Sequence, residues 1–288
     1  MKLLVFGKSG QVATALQERC PSDWRMTALG RDTADLSDPE GCAALIADSD
    51  ADAVVNAAAY TAVDRAEEEE ALATRINGEA PTAMARAAAA KGVPFVHLST
   101  DYAFDGSGTR GWRPDDPTGP LGAYGRSKAV GERGVMAAGG RGAVVIRTSS
   151  VFSARGTNFV RTMLRLSETR GQLRIVADQV SGPTAARDIA DMILRLLPEL
   201  ARDGDAPFIA HYSGTPDISW AGFAREIFRQ AGRTVEIEEI PAASYPAAAR
   251  RPLNSRLDCA VLASRYGISR PDWRISLAEV LQELDPEV

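Results

Sequence analysis

The chain has 288 residues, 45% of them hydrophobic, which suffices for one large domain or for a domain with an appendage. A net charge of −5 excludes the basic footprint of a nucleic-acid binder, and no apolar run approaches the roughly 20 residues that cross a bilayer. Three widely spaced cysteines (Cys20, Cys42, Cys259) and two histidines (His97, His211) argue against a disulfide framework or a histidine metal cage, and fit a reducing cytoplasm.

The first apolar run, residues 3–6, is too short for a signal-peptide core and ends at glycine, so it is predicted to be a strand. A helix at 11–19 follows, then a strand at 26–29, a helix at 39–47, a strand at 53–55 and helices at 64–75 and 81–91. A strand at 95–98, a helix at 124–138 and a strand at 143–147 complete the regular part. Apolar β-prone runs alternating with Ala-rich helices predict an α/β fold, a Rossmann-type doubly wound parallel sheet with helices on both faces. The acidic run Glu67-Glu68-Glu69-Glu70 follows a helix start, where carboxylates suit the dipole, and is predicted to be a solvated helix face. Beyond residue 150 the pattern turns irregular, with helices at 159–169, 188–197, 220–231 and 277–284 between Pro- and Gly-containing loops. The expected division is a dinucleotide-binding domain over 1–150, regaining segments from the C-terminal part, and a small mixed substrate-binding lobe over 151–288. That lobe should wall a cleft at the carboxyl ends of the strands, where open α/β sheets bind ligands.

The turn after the first strand reads Gly7-Lys8-Ser9-Gly10-Gln11-Val12-Ala13. This spacing puts one glycine at the tight turn, a second where backbone must approach a pyrophosphate, and a small residue where helix meets sheet. The free N–H groups of the first helical turn then face phosphate, which makes Gly7, Ser9, Gly10, Gln11 and Val12 candidate cofactor contacts. The second strand ends at Leu29-Gly30-Arg31, and an arginine there suits the 2′-phosphate of NADPH; the adjacent Asp32 keeps NADH open. Asp35 and Leu36 are placed beside the adenine. After the third strand, Ala57, Ala58 and Ala59 let the chain pass close under the cofactor, and Thr61 adds a polar contact.

The fourth strand ends in Leu98-Ser99-Thr100-Asp101-Tyr102, and Tyr124-Gly125-Arg126-Ser127-Lys128 follows downstream. Tyr124 and Lys128, four residues apart, project from one helix face. Hydride addition to a ketone leaves an alkoxide that needs a proton donor within reach. Tyr124 is the candidate donor. Lys128 is the cation expected to lower its phenol from the usual value of about 10 and to hold the nicotinamide ribose. Thr100 is placed to orient the substrate carbonyl. These three form the candidate catalytic set.

On these stretches the chain resembles the extended short-chain dehydrogenase/reductases and, within them, the dTDP-4-dehydrorhamnose reductase family. Further matching stretches are Asn56-Ala57-Ala58-Ala59-Tyr60-Thr61-Ala62-Val63-Asp64, Arg147-Thr148-Ser149, Asn158-Phe159, Asp178-Gln179 and Pro183-Thr184. The most specific block, Arg250-Arg251-Pro252-Leu253-Asn254-Ser255, lies outside the generic cofactor half. The resemblance spans nearly the whole chain. It implies that NADPH (or NADH) reduces the C4 keto group of dTDP-4-dehydro-L-rhamnose to dTDP-L-rhamnose, with Tyr124 as proton donor. It also implies substrate contacts from Thr100, Asp101, Tyr124, Ser150 and Asn158, with Arg250 or Arg251 near the diphosphate, where a guanidinium suits phosphate oxygens. The implied protein is a cytoplasmic monomer or homodimer with a dTDP-sugar as its partner and neither nucleic acid nor membrane.

Two positions depart from the family pattern. Ser150 stands where members often carry a Trp that lines the sugar site, which leaves the exact sugar and base open. Ala15 stands where some members carry a magnesium-binding glutamate, so no metal is expected. Two other functions stand beside the reductase. A nucleotide-sugar dehydratase or epimerase is disfavoured because Tyr102, not a second carboxylate, follows Asp101. A non-catalytic NADP-binding regulatory subunit is disfavoured by the intact Thr100, Tyr124 and Lys128. His97 reads as a satisfied core histidine, and Trp24, Trp220 and Trp273 as packing residues. Trp112, in the loop 106–122, reads as a cover for the cleft or an anchor for the loop.

Overall fold

The computed structural model describes residues 1–285. Its first half comprises β1 (Lys2–Phe6), α1 (Gln11–Arg19), β2 (Arg25–Leu29), α2 (Pro39–Asp48), β3 (Ala53–Asn56), α3 (Glu70–Thr74), α4 (Ala80–Lys91), β4 (Phe95–Thr100), α5 (Ala123–Ala138) and β5 (Ala143–Thr148). The second half adds β6 (Val151–Phe152), α6 (Phe159–Ser167), β7 (Gln172–Val176), β8 (Val180–Ser181), β9 (Thr184–Ala185), α7 (Ala186–Asp203), β10 (Phe208–His211), β11 (Ile218–Ser219), α8 (Trp220–Gln230), β12 (Glu236–Ile240), β13 (Asn254–Ser255), α9 (Ala260–Tyr266) and α10 (Trp273–Leu284).

Six strands form one parallel sheet in the order β2-β1-β3-β4-β5-β10, the doubly wound arrangement the alternating pattern predicts. The chain moves outward from β1 to β2 and returns on the other side at β3. The switch point, where such sheets bind ligands, therefore lies between β1 and β3. On one face Val12 and Leu16 of α1 and Ile189 and Ile193 of α7 share a core with Leu3, Val5 and Val55. On the other, Ile46 of α2, Met84 of α4 and Val135 of α5 share a core with Leu4, Phe6 and Val54. Covered on both faces, β3 and β5 are buried along their whole length, which is why each opens on an apolar run (Ala53–Val55, Ala143–Ile146) and carries its polar residues only at the carboxyl end. Local chemistry sets several helix starts. Asp38 accepts the Gly41 N–H at 3.1 Å just before Pro39, and Asn158, Ser219 and Asp272 cap α6, α8 and α10.

A third core, with Val160, Ile175, Phe223, Ile227, Trp273 and Leu277, joins α6, α8 and α10 to the parallel pair β7–β12. Trp273 is fully buried there and donates its indole N–H to the Pro216 carbonyl at 2.7 Å, a packing residue as expected. Among the described residues no helix is long and apolar enough to cross a membrane.

Two expectations need correction. The single helix over 64–75 is broken into a 3₁₀ turn (Arg65–Glu67), α3, and a π turn (Arg75–Glu79) that runs directly into α4. Pro81 explains the π turn. It has no N–H for the Asn77 carbonyl and its ring crowds that oxygen, so the ladder widens just before it. The acidic run is not a free face either. Glu67 accepts the Ala123 N–H at 2.8 Å, Glu69 accepts the Tyr60 hydroxyl at 2.8 Å and pairs with Arg65, and Glu70 pairs with Arg126 at 2.7 Å.

Candidate active site

At the switch point Gly7 has φ +112°, and a Cβ there would stand 3.3 Å from the Ala13 side chain and 3.4 Å from the backbone of Ala57 and Ala58. Only glycine fits this position. Gly10 precedes α1 with no side-chain cap, and a Cβ on it would meet nothing within 4 Å, so the first-turn N–H groups have no side-chain acceptor at the cap and the space beside Gly10 is open. Ser9 is exposed, Gln11 half-buried, and the Val12 side chain turns into the core. Ala57 packs into the core beneath α1 and Ala58 into the core beneath α2, so the chain divides between the two faces here. Arg31 is exposed and lies 3.5 Å from Asp35, which accepts the Ser37 N–H at 2.9 Å; that bond chiefly holds its carboxyl below the usual range. Lys8 lies alongside, its Cδ 3.5 Å from where a Gly30 Cβ would sit. Leu36 is buried beside Phe6 and Ile46, while Thr61 is exposed.

At the end of β4 the Thr100 hydroxyl donates to Asp101 at 3.1 Å and accepts the Tyr102 N–H at 3.1 Å. Tyr124 lies beside it, its ring meeting that of Tyr102 edge to face at 5.9 Å. Burial pushes the Asp101 carboxyl up to about 6 against hydrogen bonds from Ser255 and Thr100. Burial, joined by the Asp101 charge, pushes the Tyr124 phenol up to about 12, with the Thr100 hydroxyl opposing. Lys128 is 2% exposed; its Nζ donates to the Leu98 carbonyl at 2.6 Å and lies 3.5 Å from His97 Nε2. Burial lowers it to about 8, against the Glu132 carboxylate. The expectation that Lys128 lowers the Tyr124 phenol is therefore not met. The ammonium is turned to a backbone carbonyl, and burial together with Asp101 governs the phenol.

His97 is a buried, satisfied histidine, but its partners belong to the site. Asn56 accepts the Ala58 N–H at 3.1 Å, which orients its amide, and donates Nδ2 to His97 Nδ1 at 3.2 Å. The chain Ala58–Asn56–His97 thus ties the floor of the switch point to β4, with the lysine beside the far side of the ring. Asn77, in the π turn, holds both the N–H (2.8 Å) and the carbonyl (3.0 Å) of Tyr60 and donates to Ser127 Oγ at 3.0 Å. Behind Lys128, Glu132 and Arg147 form a buried pair at 2.6 Å.

A cleft of about 1370 Å³ opens beside Tyr102 and Leu121 and is walled by α6, β7, α8 and the segment 242–253. Tyr102 joins the cleft to the candidate catalytic set, since it lines the one and packs on Tyr124; Thr100, Tyr124 and Lys128 do not themselves line it. Arg250 and Arg251 both do, and they differ. Arg250 is exposed and makes no ion pair among the described residues, whereas Arg251 pairs with Asp64 at 2.8 Å and bonds Tyr102. Ser150 and Asn158 are not on the lining. Ser150 holds φ +47° with its hydroxyl 2.7 Å from that of Ser181, and Asn158 donates to Gln11 at 2.9 Å while capping α6. Trp112 is an anchor: it stacks on Phe104 at 4.6 Å and donates to the Asn254 carbonyl at 3.0 Å. Trp220, expected only to pack, lines the cleft beside Phe159. Tyr102, Asp64, Glu67, Asn77 and His97 are the participants that sequence reasoning missed. The one local signal among them was Pro81, four residues after Asn77. Among the described residues no group of three His, Cys, Asp or Glu side chains is disposed to hold a metal.

A doubly wound sheet with a glycine cradle at its switch point, and Thr, Tyr and Lys gathered from the next strand and helix, defines a protein of the Rossmann-type reductase class. The model of the family described as RmlD substrate binding domain matches residues 1–285, and the chain belongs to that family. It is 42% identical to a dTDP-4-dehydrorhamnose reductase of Sinorhizobium fredii, over 99% of this chain and 98% of the relative. Among solved structures it is similar to a dTDP-4-dehydrorhamnose reductase from Clostridium acetobutylicum (TM-score 0.92, 32% identity, 99% of each chain). It is also similar to that of Bacillus anthracis in complex with NADP (TM-score 0.90, 30% identity, 98% of this chain and 99% of that one).

Proposed function

We propose that this chain reduces the C4 keto group of dTDP-4-dehydro-L-rhamnose to give dTDP-L-rhamnose, with NADPH as donor and NADH as the alternative. The switch point suits a dinucleotide: a side chain on Gly7 would fill the cradle, and the start of α1 is uncapped and open. Gly7, Ser9, Gly10 and Gln11 would hold its diphosphate, with Ala57, Ala58 and Ala59 beneath. Arg31, with Lys8 beside it, would meet the 2′-phosphate. NADPH, when bound, supplies the hydride.

The chain's own groups do the rest. Thr100, bonded to Asp101, holds the carbonyl in reach of Tyr124. A phenol held near 12 is fully protonated at neutral pH and thus loaded to give its proton to the oxygen that gains charge. Lys128, still mostly an ammonium at neutral pH and turned to the Leu98 carbonyl, would hold the nicotinamide ribose. Arg250 takes the diphosphate, while Arg251, committed to Asp64, shapes the wall. Residues 1–150, completed by α7 and β10, form the cofactor half of a cytoplasmic monomer or homodimer, and residues from 151 onward mainly form the substrate lobe.

The gathering of Thr100, Asp101 and Tyr124 against Tyr102, at the mouth of a cleft carrying Arg250, supports this most strongly. Purified protein given NADPH and enzymatically generated dTDP-4-dehydro-L-rhamnose should consume the reduced-nicotinamide absorbance. Tyr124→Phe is expected to cut kcat by roughly 10²–10⁴-fold while leaving NADPH binding nearly intact. Wild-type turnover in that variant refutes Tyr124 as donor; no turnover by wild type with NADPH bound refutes the sugar.

A further inference from the structure

Helix α5, which carries Tyr124 and Lys128, begins without a cap of its own. Its N-cap residue is Gly122, which has no side chain to offer, and its first turn holds no carboxylate. The need is met from elsewhere: the Ala123 N–H donates to Glu67 Oε1 at 2.8 Å, from a turn 56 residues upstream. Gly122 is glycine for a matching steric reason. A Cβ there would lie 2.6 Å from that same oxygen, so the carboxylate fills the space where a cap side chain would stand. The fit extends around it. Ala66, next to Glu67, packs with Ala73 and Ala123 into a small buried cluster against the rings of Tyr60 and Tyr124. Arg126, one turn on, binds both oxygens of Glu70 and lies 3.9 Å from Glu67.

We propose that Glu67 is a positioning residue for the reaction: it caps α5 in place of Gly122 and thereby sets the seat of Tyr124. The proposal rests on the reading of Tyr124 as proton donor. Unsatisfied N–H groups make the first turn of a helix the place where it frays, and Tyr124 is the second residue of that turn. Its partner Thr100 ends a rigid central strand, so fraying changes the distance between phenol and carbonyl rather than moving both together. Misplacement of a reacting group by about 1 Å can cost on the order of 10²-fold in rate. A carboxylate suits this place twice, as acceptor for the N–H and as the charge favoured at a helix N-terminus.

The test compares Glu67→Ala, Glu67→Gln and Gly122→Ala by steady-state kinetics and by hydrogen exchange at the first α5 amides. Glu67→Ala should lower kcat by roughly tenfold with KM for NADPH nearly unchanged, and should expose the Ala123 amide to exchange. Glu67→Gln keeps an oxygen for that N–H and should restore most of the rate and the protection. Gly122→Ala drives the carboxylate out by contact and should mimic Glu67→Ala, yet add little in the Glu67→Ala background. It also carries the test should Glu67→Ala not fold. Unchanged kcat and protection in Glu67→Ala, a Gln variant as slow as the Ala variant, or additive losses in the double variant would each overturn the proposal. Absence of turnover by wild type would sink the assigned reaction instead, and the exchange pattern would still decide the cap.

Discussion

Glu132 lies one turn beyond Lys128 on α5 and forms a buried ion pair with Arg147 of β5, the two side chains 3% and 2% exposed. Its carboxylate accepts Arg147 Nε at 2.9 Å and Nη2 at 2.6 Å, as well as the hydroxyl of Ser99, the neighbour of Thr100. Arg147 Nη1 reaches the Pro114 carbonyl and His211 Nε2, each at 3.3 Å. Glu132→Gln preserves the shape but sets an amide N–H against a guanidinium N–H and leaves a buried cation without its counter-charge. Breaking one side of a buried pair costs about 3–5 kcal/mol. For a chain of this size each kcal/mol moves Tm by roughly 2–4 °C, so the variant should melt roughly 6–20 °C below wild type by circular dichroism. Removing both charges, as in Glu132→Leu with Arg147→Met, leaves no unpaired buried charge and should melt above the single variant. A Glu132→Gln protein melting within about 2 °C of wild type, or a double variant less stable than the single one, would refute this account of the pair.

The same carboxylate opposes burial at Lys128, which gives a kinetic prediction. The ammonium is present below about 8 and is lost above it, so kcat should fall as pH rises through about 8. In Glu132→Gln that limb should move to lower pH, and a limb that stays in place argues against Lys128 as its source. Burial, then the Arg147 charge, hold His211 down at about 3, below its unfolded value of about 6.5. The unfolded chain binds more protons between those values, so this contribution to stability is whole above about 6.5 and drains away as pH falls toward about 3. Denaturant titrations of His211→Gln should show a shallower pH slope in that window; an unchanged slope would exclude His211. Arg250→Ala should raise KM for the sugar nucleotide roughly tenfold and leave that for NADPH alone, whereas Arg251→Ala, which also frees Asp64 and Tyr102, should lower Tm as well. Identical behaviour of the two variants would count against the division of labour between them.

The parts of the molecule legible in the sequence are those whose requirements are local. Gly7 stands where φ is +112°, Asp38 and Pro39 start α2, and the bodies of β3 and β5 are apolar because helices cover both their faces. The site residues missed take their meaning from distant partners. Nothing near Asp64 announces that it will bind Arg251, 187 residues away, and nothing in the acidic run separates Glu67, which caps α5, from a solvated carboxylate. The sixth strand escaped for the same reason. Phe208–His211 is short, and it becomes a strand through its parallel pairing with β5 at the end of the connection through α7.

The Tyr124–Lys128 pair shows where pattern reasoning stops. Spacing of four on a helix establishes that two side chains share a face; it does not establish which partner each will take. A lysine lowers a phenol only if its ammonium faces the oxygen, and here it faces the Leu98 carbonyl instead, with His97 at its side. The oxygen is left to burial and to the Asp101 charge, both of which favour the protonated phenol. For a reduction that is the useful state, because the group must hold its proton until the carbonyl oxygen gains charge. A phenol depressed toward neutrality would suit the reverse reaction, in which it must take a proton from an alcohol. The direction of the perturbation at Tyr124, invisible in the spacing and set by Asp101 and burial, therefore agrees with a site that donates.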